Sequence, residues 1–210
     1  VRVVTGVKGA IAVTAVALSV AACSVDGAPA RVPDLAPRTV GATAFPYGPG
    51  VAVPAAQVPN AVADITFTPL RSQNRPAECT PSQVDVSGAQ IRVGPGGQAG
   101  GTVTVMLAQV PDTFDDYVAG LRECSDFALG GTVGTRVVTD VGTVADDTVE
   151  SGRTLSADGV PYARVYEIVG QHGDLRVYVQ NRFSGNDLGP DERAATRNLF
   201  DSAYTTAFGD

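Results

Sequence analysis

Cys79 and Cys124 constrain this chain more than any other pair of residues. The chain has three cysteines. The third, Cys23, follows an apolar run and is set apart by its surroundings, which leaves Cys79 and Cys124 to face one another. In an oxidising compartment such a pair is expected to form a disulfide. The bridge would close a loop of roughly 45 residues and stabilise the fold by about 4 kcal/mol in the chain-entropy picture. Two free buried thiols are the alternative.

The compartment is read from the N-terminus. Residues 1–22 carry Arg2 and Lys8 and no acidic residue, and Gly9 to Ala22 is an uncharged run of 14 residues rich in Ala and Val. That run is shorter than the about 20 residues a membrane-spanning helix needs. A basic start, a short apolar run and small residues at its end describe a secretory signal. It closes on Val20-Ala21-Ala22-Cys23, the bacterial lipobox pattern of an aliphatic residue, two small residues and a cysteine. The small side chains suit a peptidase cleft, and the thiol would take diacylglycerol. The expectation is lipidation at Cys23, palmitate-type acyl chains, and anchorage on the extracytoplasmic side of the cell membrane. Two or three chains hold stably where one does not. An ordinary signal peptide with a chance cysteine is the alternative.

Charge narrows the partners. Without residues 1–22 the chain has 13 arginines, no lysine and 22 acids, a net charge of about −9. This disfavours nucleic acid and anionic lipid surfaces as partners. The absence of lysine after Lys8 rules out a Walker-type phosphate loop, Schiff-base chemistry and Ser–Lys catalysis. His172 is the one histidine, so a zinc site with two histidines is impossible. No metal and no cofactor is expected.

Residues 24–60 are rich in Pro, Ala, Gly and Val, with no period of 2 or 3.6. Residues 23–60 read as a lipidated flexible tether, with Phe45–Pro54 apolar enough for part of it to pack on the domain. Residues 61–210 then form a single domain. Strands are expected at Ile65–Leu70, Ala89–Val93, Thr102–Val110 and Val133–Val141. A helix is expected over Asp112–Cys124, with Asp112 as N-cap and Phe114, Tyr117, Val118, Leu121 and Cys124 as its buried stripe. Residues 142–158 read as a long loop or a weak strand pair. A last helix starts at Gly189-Pro190-Asp191-Glu192 and buries Ala195, Leu199, Phe200, Ala203 and Tyr204. The fold class is α+β: an antiparallel sheet with two main helices packed on one face and a single disulfide.

Pro161–Gly170 and Asp174–Phe183 make the clearest hairpin. A register with Tyr166 opposite Tyr178 and Arg164 opposite Gln180 gathers Val165, Val169, Leu175, Val177 and Val179 on one face. A slip by one residue would mix apolar and charged side chains. It implies a three- or five-residue loop with Gly173 at positive φ. The other face then carries Tyr162, Arg164, Tyr166 and Ile168 beside Arg176, Tyr178, Gln180 and Arg182. Tyrosine and arginine dominate binding hot spots, so this face is a candidate binding surface. A wet sheet face with cross-strand pairs is the plainer reading.

Other motifs fall to their context. Gly94-Pro95-Gly96-Gly97-Gln98-Ala99 fits a dinucleotide fingerprint formally, but a strand follows where a helix is required. It reads as a hairpin turn. The acids Asp146, Asp147 and Glu150, and the group Asn186, Asp187, Asp191 and Glu192, lack the spacing of a calcium loop. No G-x-S-x-G elbow is present, and His172 sits between turn residues, so no catalytic residue is assigned.

The lipobox, the Pro/Ala tether, the "PAEC" segment at Pro76–Cys79, the helix ending "LREC" at Leu121–Cys124, the hairpin and the final amphipathic helix together resemble mycobacterial envelope lipoproteins. More distantly, residues 61–208 are similar to the extracellular sensor domain of actinobacterial Ser/Thr kinases. The resemblance implies an α+β domain with a ligand-accepting cleft and two disulfides, whereas this chain has cysteines for one. The expected function is a non-enzymatic module, anchored through Cys23, that binds an envelope ligand or protein. A structural envelope lipoprotein without a small-molecule site is the alternative, marked by a flat sheet face and no cavity above about 300 Å³. A carboxylate-based hydrolase is the third.

Overall fold

The computed structural model describes residues 34–98, 100–130, 134–185 and 187–209. The signal segment and Cys23 lie outside the described residues, as do Ala99 and Asn186.

The domain is built on one antiparallel sheet of eight strands: β1 Val51–Ala52, β2 Asp85–Pro95, β3 Thr102–Gln109, β4 Asp126–Leu129, β5 Thr135–Val144, β6 Thr148–Ala157, β7 Val160–His172 and β8 Leu175–Phe183. Their spatial order is β1-β2-β3-β8-β7-β6-β5-β4. Three α-helices, α1 Val58–Thr66, α2 Phe114–Glu123 and α3 Pro190–Phe208, and four short 3₁₀ turns complete the described residues. The α+β class and the Cys79–Cys124 disulfide are both present.

Both faces of the sheet are covered, which corrects the expectation of two main helices on one face. On the first face, Leu199, Phe200, Ala203 and Ala207 of α3 pack with Val103, Val105 and Leu107 of β3, Val177 and Val179 of β8 and Ile168 of β7. On the second, Val58, Val62 and Ile65 of α1 and Val118 and Leu121 of α2 pack with Ile91, Met106, Ala108, Val169 and Tyr178. Central β3 therefore turns Val103, Val105 and Leu107 toward α3 and Met106 and Ala108 toward α1 and α2. A strand buried on both sides needs this continuous apolar run.

The register of β7 and β8 differs from expectation. Tyr166 pairs with Asn181, Glu167 with Gln180, and Val169 with Tyr178, while His172 pairs with Leu175 across a two-residue turn. Gly173, at φ +61°, supplies the positive φ that a short primed turn requires. The expected register assumed one wet face. With both faces covered, that requirement lapses, and the slipped register sets Glu167 against Gln180 and Gln171 against Arg176, polar pairs that satisfy one another in the interior.

Three local expectations are also corrected. Ile65–Leu70 is not a strand: α1 runs to Thr66 and Phe67 ends it in the left-handed region at φ +57°. The N-cap of α2 is Thr113, whose hydroxyl accepts from the Asp116 amide at 3.2 Å, not Asp112. Residues 148–157, expected as loop or weak strand, are the well-paired β6.

The tether boundary moves as well. The described residues from Asp34 onward belong to one compact unit, and Leu35, Val40 and Phe45 are buried in the core beneath α3. The Phe45 ring lies so close to Gly50 and Gly94 that a Cβ at either would stand 2.3 and 2.6 Å from it, which reserves both positions for glycine. Arg38 Nε donates to the Ala207 carbonyl at 2.7 Å, fastening this segment to the C-terminal turn of α3. The aperiodic apolar residues of 34–60 thus form a strap rather than free linker.

Candidate functional site

The site grows from the second face, where α2 crosses the sheet. α2 starts at a Thr cap with Asp115 and Asp116 in its first turn, and ends at Cys124. Cys124 is bonded to Cys79, 5.4 Å away between Cα atoms. The segment before Cys79 is held by Asn74. Its side-chain amide donates to the carbonyls of Phe67 at 3.1 Å and Cys79 at 2.7 Å, and accepts from the Gly130 amide at 2.9 Å. These attachments fix the wall formed by residues 78–82 against α2 and the sheet.

Between them lies a cavity of about 170 Å³. Ile65, Leu121, Phe127 and the disulfide give it apolar walls, while Arg153, Arg176, Tyr117 and Tyr178 supply polar groups. Glu78 and Asp116, both exposed, stand in the lining on the solvent side.

The polar groups form two linked networks. Glu167, 1 % exposed, accepts from the Tyr117 hydroxyl at 2.8 Å and from the Gln180 amide at 2.7 Å. Arg176 donates through Nε to Gln171 Oε1 at 2.8 Å and through Nη1 to the Tyr178 hydroxyl at 3.1 Å, and pairs with Asp112 at 3.2 Å. Its guanidinium also lies 4.2 Å over the Tyr117 ring. Burial, with the Glu167 carboxylate beside it, pushes the Tyr117 hydroxyl well above its ordinary value, and burial raises Tyr178 too. Both phenols are therefore neutral hydrogen-bonding groups at neutral pH.

Arg153 is different. It is 7 % exposed, and its Nε, fully shielded, has no hydrogen-bond partner among the described residues. Glu167 Oε2 is 3.8 Å from it, close enough for charge attraction but beyond hydrogen-bond reach. Its guanidinium lies 4.3 Å from the Phe67 ring centroid. Arg153 lines a cavity, and its terminal nitrogens, which make no hydrogen bond and are not sealed as Nε is, are the donors that an acceptor in the cavity would meet.

The Tyr/Arg face expected from the sequence is divided by the actual register. Arg176, Tyr178 and Arg182 lie on the α1/α2 face, with Arg182 Nη1 donating to Asp64 at 2.8 Å. Tyr166 lies under α3, where its hydroxyl donates to Glu150 at 2.8 Å and Arg193 stacks 5.0 Å from its ring. Arg164 pairs with Asp187 at 2.7 Å. Tyr162 is half exposed near Thr135. The six residues make no single surface; Arg176 and Tyr178 alone reach the cavity. Arg153 and Tyr117 join them in the lining, with Glu167 and Gln180 behind it. Tyr117 was legible as part of a helix stripe, but nothing in the polar run around Arg153 marks it as buried.

Two of the remaining acids have ordinary partners. Asp147 accepts from Tyr204 and Glu150 from Arg197. Residues 96–101 close the β2–β3 hairpin through a Gly96 amide to Gly101 carbonyl bond of 3.0 Å. His172 is exposed at the end of β7. Among the described residues, no three His, Cys, Asp or Glu side chains gather as a metal site, and no helix is long and apolar enough to cross a membrane.

No family model matches this chain, and no curated protein matches it. Among solved structures it is similar to an uncharacterised protein of Mycobacterium smegmatis, the Rv0999 ortholog. The two are 18 % identical, with a TM-score of 0.42, over 76 % of this chain and 85 % of the other.

Proposed function

We propose that this protein is a non-enzymatic, sensor-like binding module, anchored through lipid on Cys23 to the extracytoplasmic side of the cell membrane, and that it binds a small ligand in the cavity beneath α2. The observation that carries this reading is Arg153, a cavity-lining guanidinium that makes no hydrogen bond among the described residues and has only Glu167, 3.8 Å away, as its charge partner. The cavity's rigid surround supports it. One wall is a disulfide and another is a helix capped at its start, so the lining is preorganised.

Two experiments test the two halves. Intact mass and fractionation of the natively expressed chain should show an acylated species beginning at Cys23, and Cys23→Ser should move the protein out of the membrane fraction. A fragment screen by ligand-observed NMR should return binders that Gly120→Phe, a substitution in the cavity lining, abolishes. Binders that ignore Gly120→Phe would contradict the cavity as the site.

A second reading has one observation in its favour. At about 170 Å³ the cavity is below the roughly 300 Å³ at which small-molecule pockets usually begin. A structural envelope lipoprotein that contacts other proteins predicts no fragment binding there.

A further inference from the structure

Resting on the reading of this cavity as a binding site, we propose that its ligand is a compact monocarboxylate with an apolar body of about six to eight non-hydrogen atoms. The carboxylate would be held by Arg153 at the cavity's inner wall.

Arg153 limits what the ligand's polar group can be. A guanidinium has five N–H donors in a planar fork and no acceptor, so it requires an acceptor, and the fork matches a carboxylate in two-point fashion. Inside the protein that role is unfilled. Glu167 stands 3.8 Å away, beyond hydrogen-bond reach, held there by the bonds its two oxygens accept from Tyr117 and Gln180. Arg176 is not available for the ligand in the same way, because Gln171, Tyr178 and Asp112 already engage it. Tyr178 adds a second donor: its hydroxyl accepts from Arg176, which leaves its own hydrogen to point elsewhere.

Size and wall chemistry set the rest of the ligand. A dry cavity of about 150 Å³ takes benzene, and this one, at about 170 Å³, is walled by Ile65, Leu121, Phe127 and the disulfide. An apolar body therefore gains from burial. Charge sets the valence. Arg153 and Glu167 offset one another, as do Arg176 and Asp112. Glu78 and Asp116, on the solvent side of the lining, add negative potential. A singly charged group passes these water-screened acids at small cost, whereas a doubly charged phosphate does not.

The test uses the full chain in nanodiscs with benzoate, benzyl alcohol and inorganic phosphate as probes, read by calorimetry and saturation-transfer NMR. Benzoate is expected to bind saturably and about ten-fold or more tighter than benzyl alcohol, the difference that one charge-assisted hydrogen-bonded pair supplies. Phosphate should not displace it. Arg153→Met should erase the preference for benzoate while leaving benzyl alcohol binding, and Arg153→Lys should restore part of it. Should Arg153→Met not fold, the benzoate-to-benzyl-alcohol ratio on the unaltered protein and the Arg153→Lys variant decide the question. Equal affinity for benzoate and benzyl alcohol would overturn the carboxylate while leaving the cavity as a site. Displacement of benzoate by phosphate at similar concentration would overturn the apolar monoanion. Binding of none of the three would overturn both the ligand class and the reading on which it rests.

Discussion

Glu167 on β7 and Gln180 on β8 stand directly opposite one another, both almost fully buried, with the Gln180 amide donating to Glu167 Oε2 at 2.7 Å. Gln180 also donates to the Ile65 carbonyl at 2.7 Å, so the pair joins the middle of the sheet to the end of α1. Tyr117 reaches Glu167 from α2. Three elements thus meet on one carboxylate behind the cavity.

Removing that carboxylate should be severe. Glu167→Ala leaves Arg153 without its counter-charge and Tyr117 and Gln180 without an acceptor, and breaking a buried pair from one side costs about 3–5 kcal/mol. Tyr117→Phe, which removes one hydrogen bond to a charged group, should cost about 1.5–3 kcal/mol. Urea denaturation followed by circular dichroism measures both. Equal and small losses would show that the network does not stabilise the fold.

The disulfide should matter both to stability and to the cavity. Replacing Cys79 and Cys124 with Ser releases a loop with a sequence separation of 45 and should cost about 2–4 kcal/mol. Fragment binding should weaken in the same variant, since the bridge forms one wall. Retained stability with lost binding would separate the wall's geometry from its stabilising role.

How far these features were legible follows the physics of each segment. β3, α2 and α3 were readable because each carries an apolar periodicity that decides its fold alone, Val103, Val105 and Leu107 in one case and Leu199, Phe200 and Ala203 in another. The cysteine pair was readable by its isolation. β6 was not. Within Thr148–Ala157 the apolar core residues are Val149 and Leu155, and Ser151 and Arg153 between them are buried too. Their burial depends on partners that come from β5, β7 and the Phe67 segment, which no local pattern records.

The β7–β8 register failed for a related reason. Alternation distinguishes a core face from a solvent face, and neither face here meets solvent. Phe45 packs on the domain as its apolar stretch suggested, whereas Leu35 and Val40 were missed because they pack as single anchors along an irregular strap, which leaves no period to detect.

Gly120 offers a gain in stability. It lies within α2, and a Cβ built there meets nothing within 4 Å. Gly120→Ala should stabilise the protein by about 0.5–1 kcal/mol through helix propensity and loss of unfolded-state freedom. Thermal and urea midpoints should both rise. A fall would mean that the added methyl disturbs the cavity lining.

The α3 side predicts a pH response. Glu150 accepts from Arg197 through Nε and Nη2, each at 2.8 Å, and the Tyr166 hydroxyl donates to it. The hydrogen bonds from Arg197, joined by that of Tyr166, hold its carboxyl below its ordinary value of 4.5 against the opposing effect of burial. A carboxylate depressed in the folded state contributes stability that is present above about pH 4.5 and lost as pH falls through the folded value. Urea midpoints should decline on acidification below that point, and Glu150→Gln should flatten part of the decline. An unchanged acid limb in that variant would remove Glu150 from the account.

Aromatic and methyl NMR of the full chain during a benzoate titration reads whether the cavity beneath α2 receives a ligand. Saturable shifts are expected at Tyr117, Tyr178, Ile65 and Leu121, with Leu199, Phe200 and Tyr204 on the opposite face unmoved. Shifts confined to the α3 face, or no saturable shift at the four cavity residues, would contradict binding there.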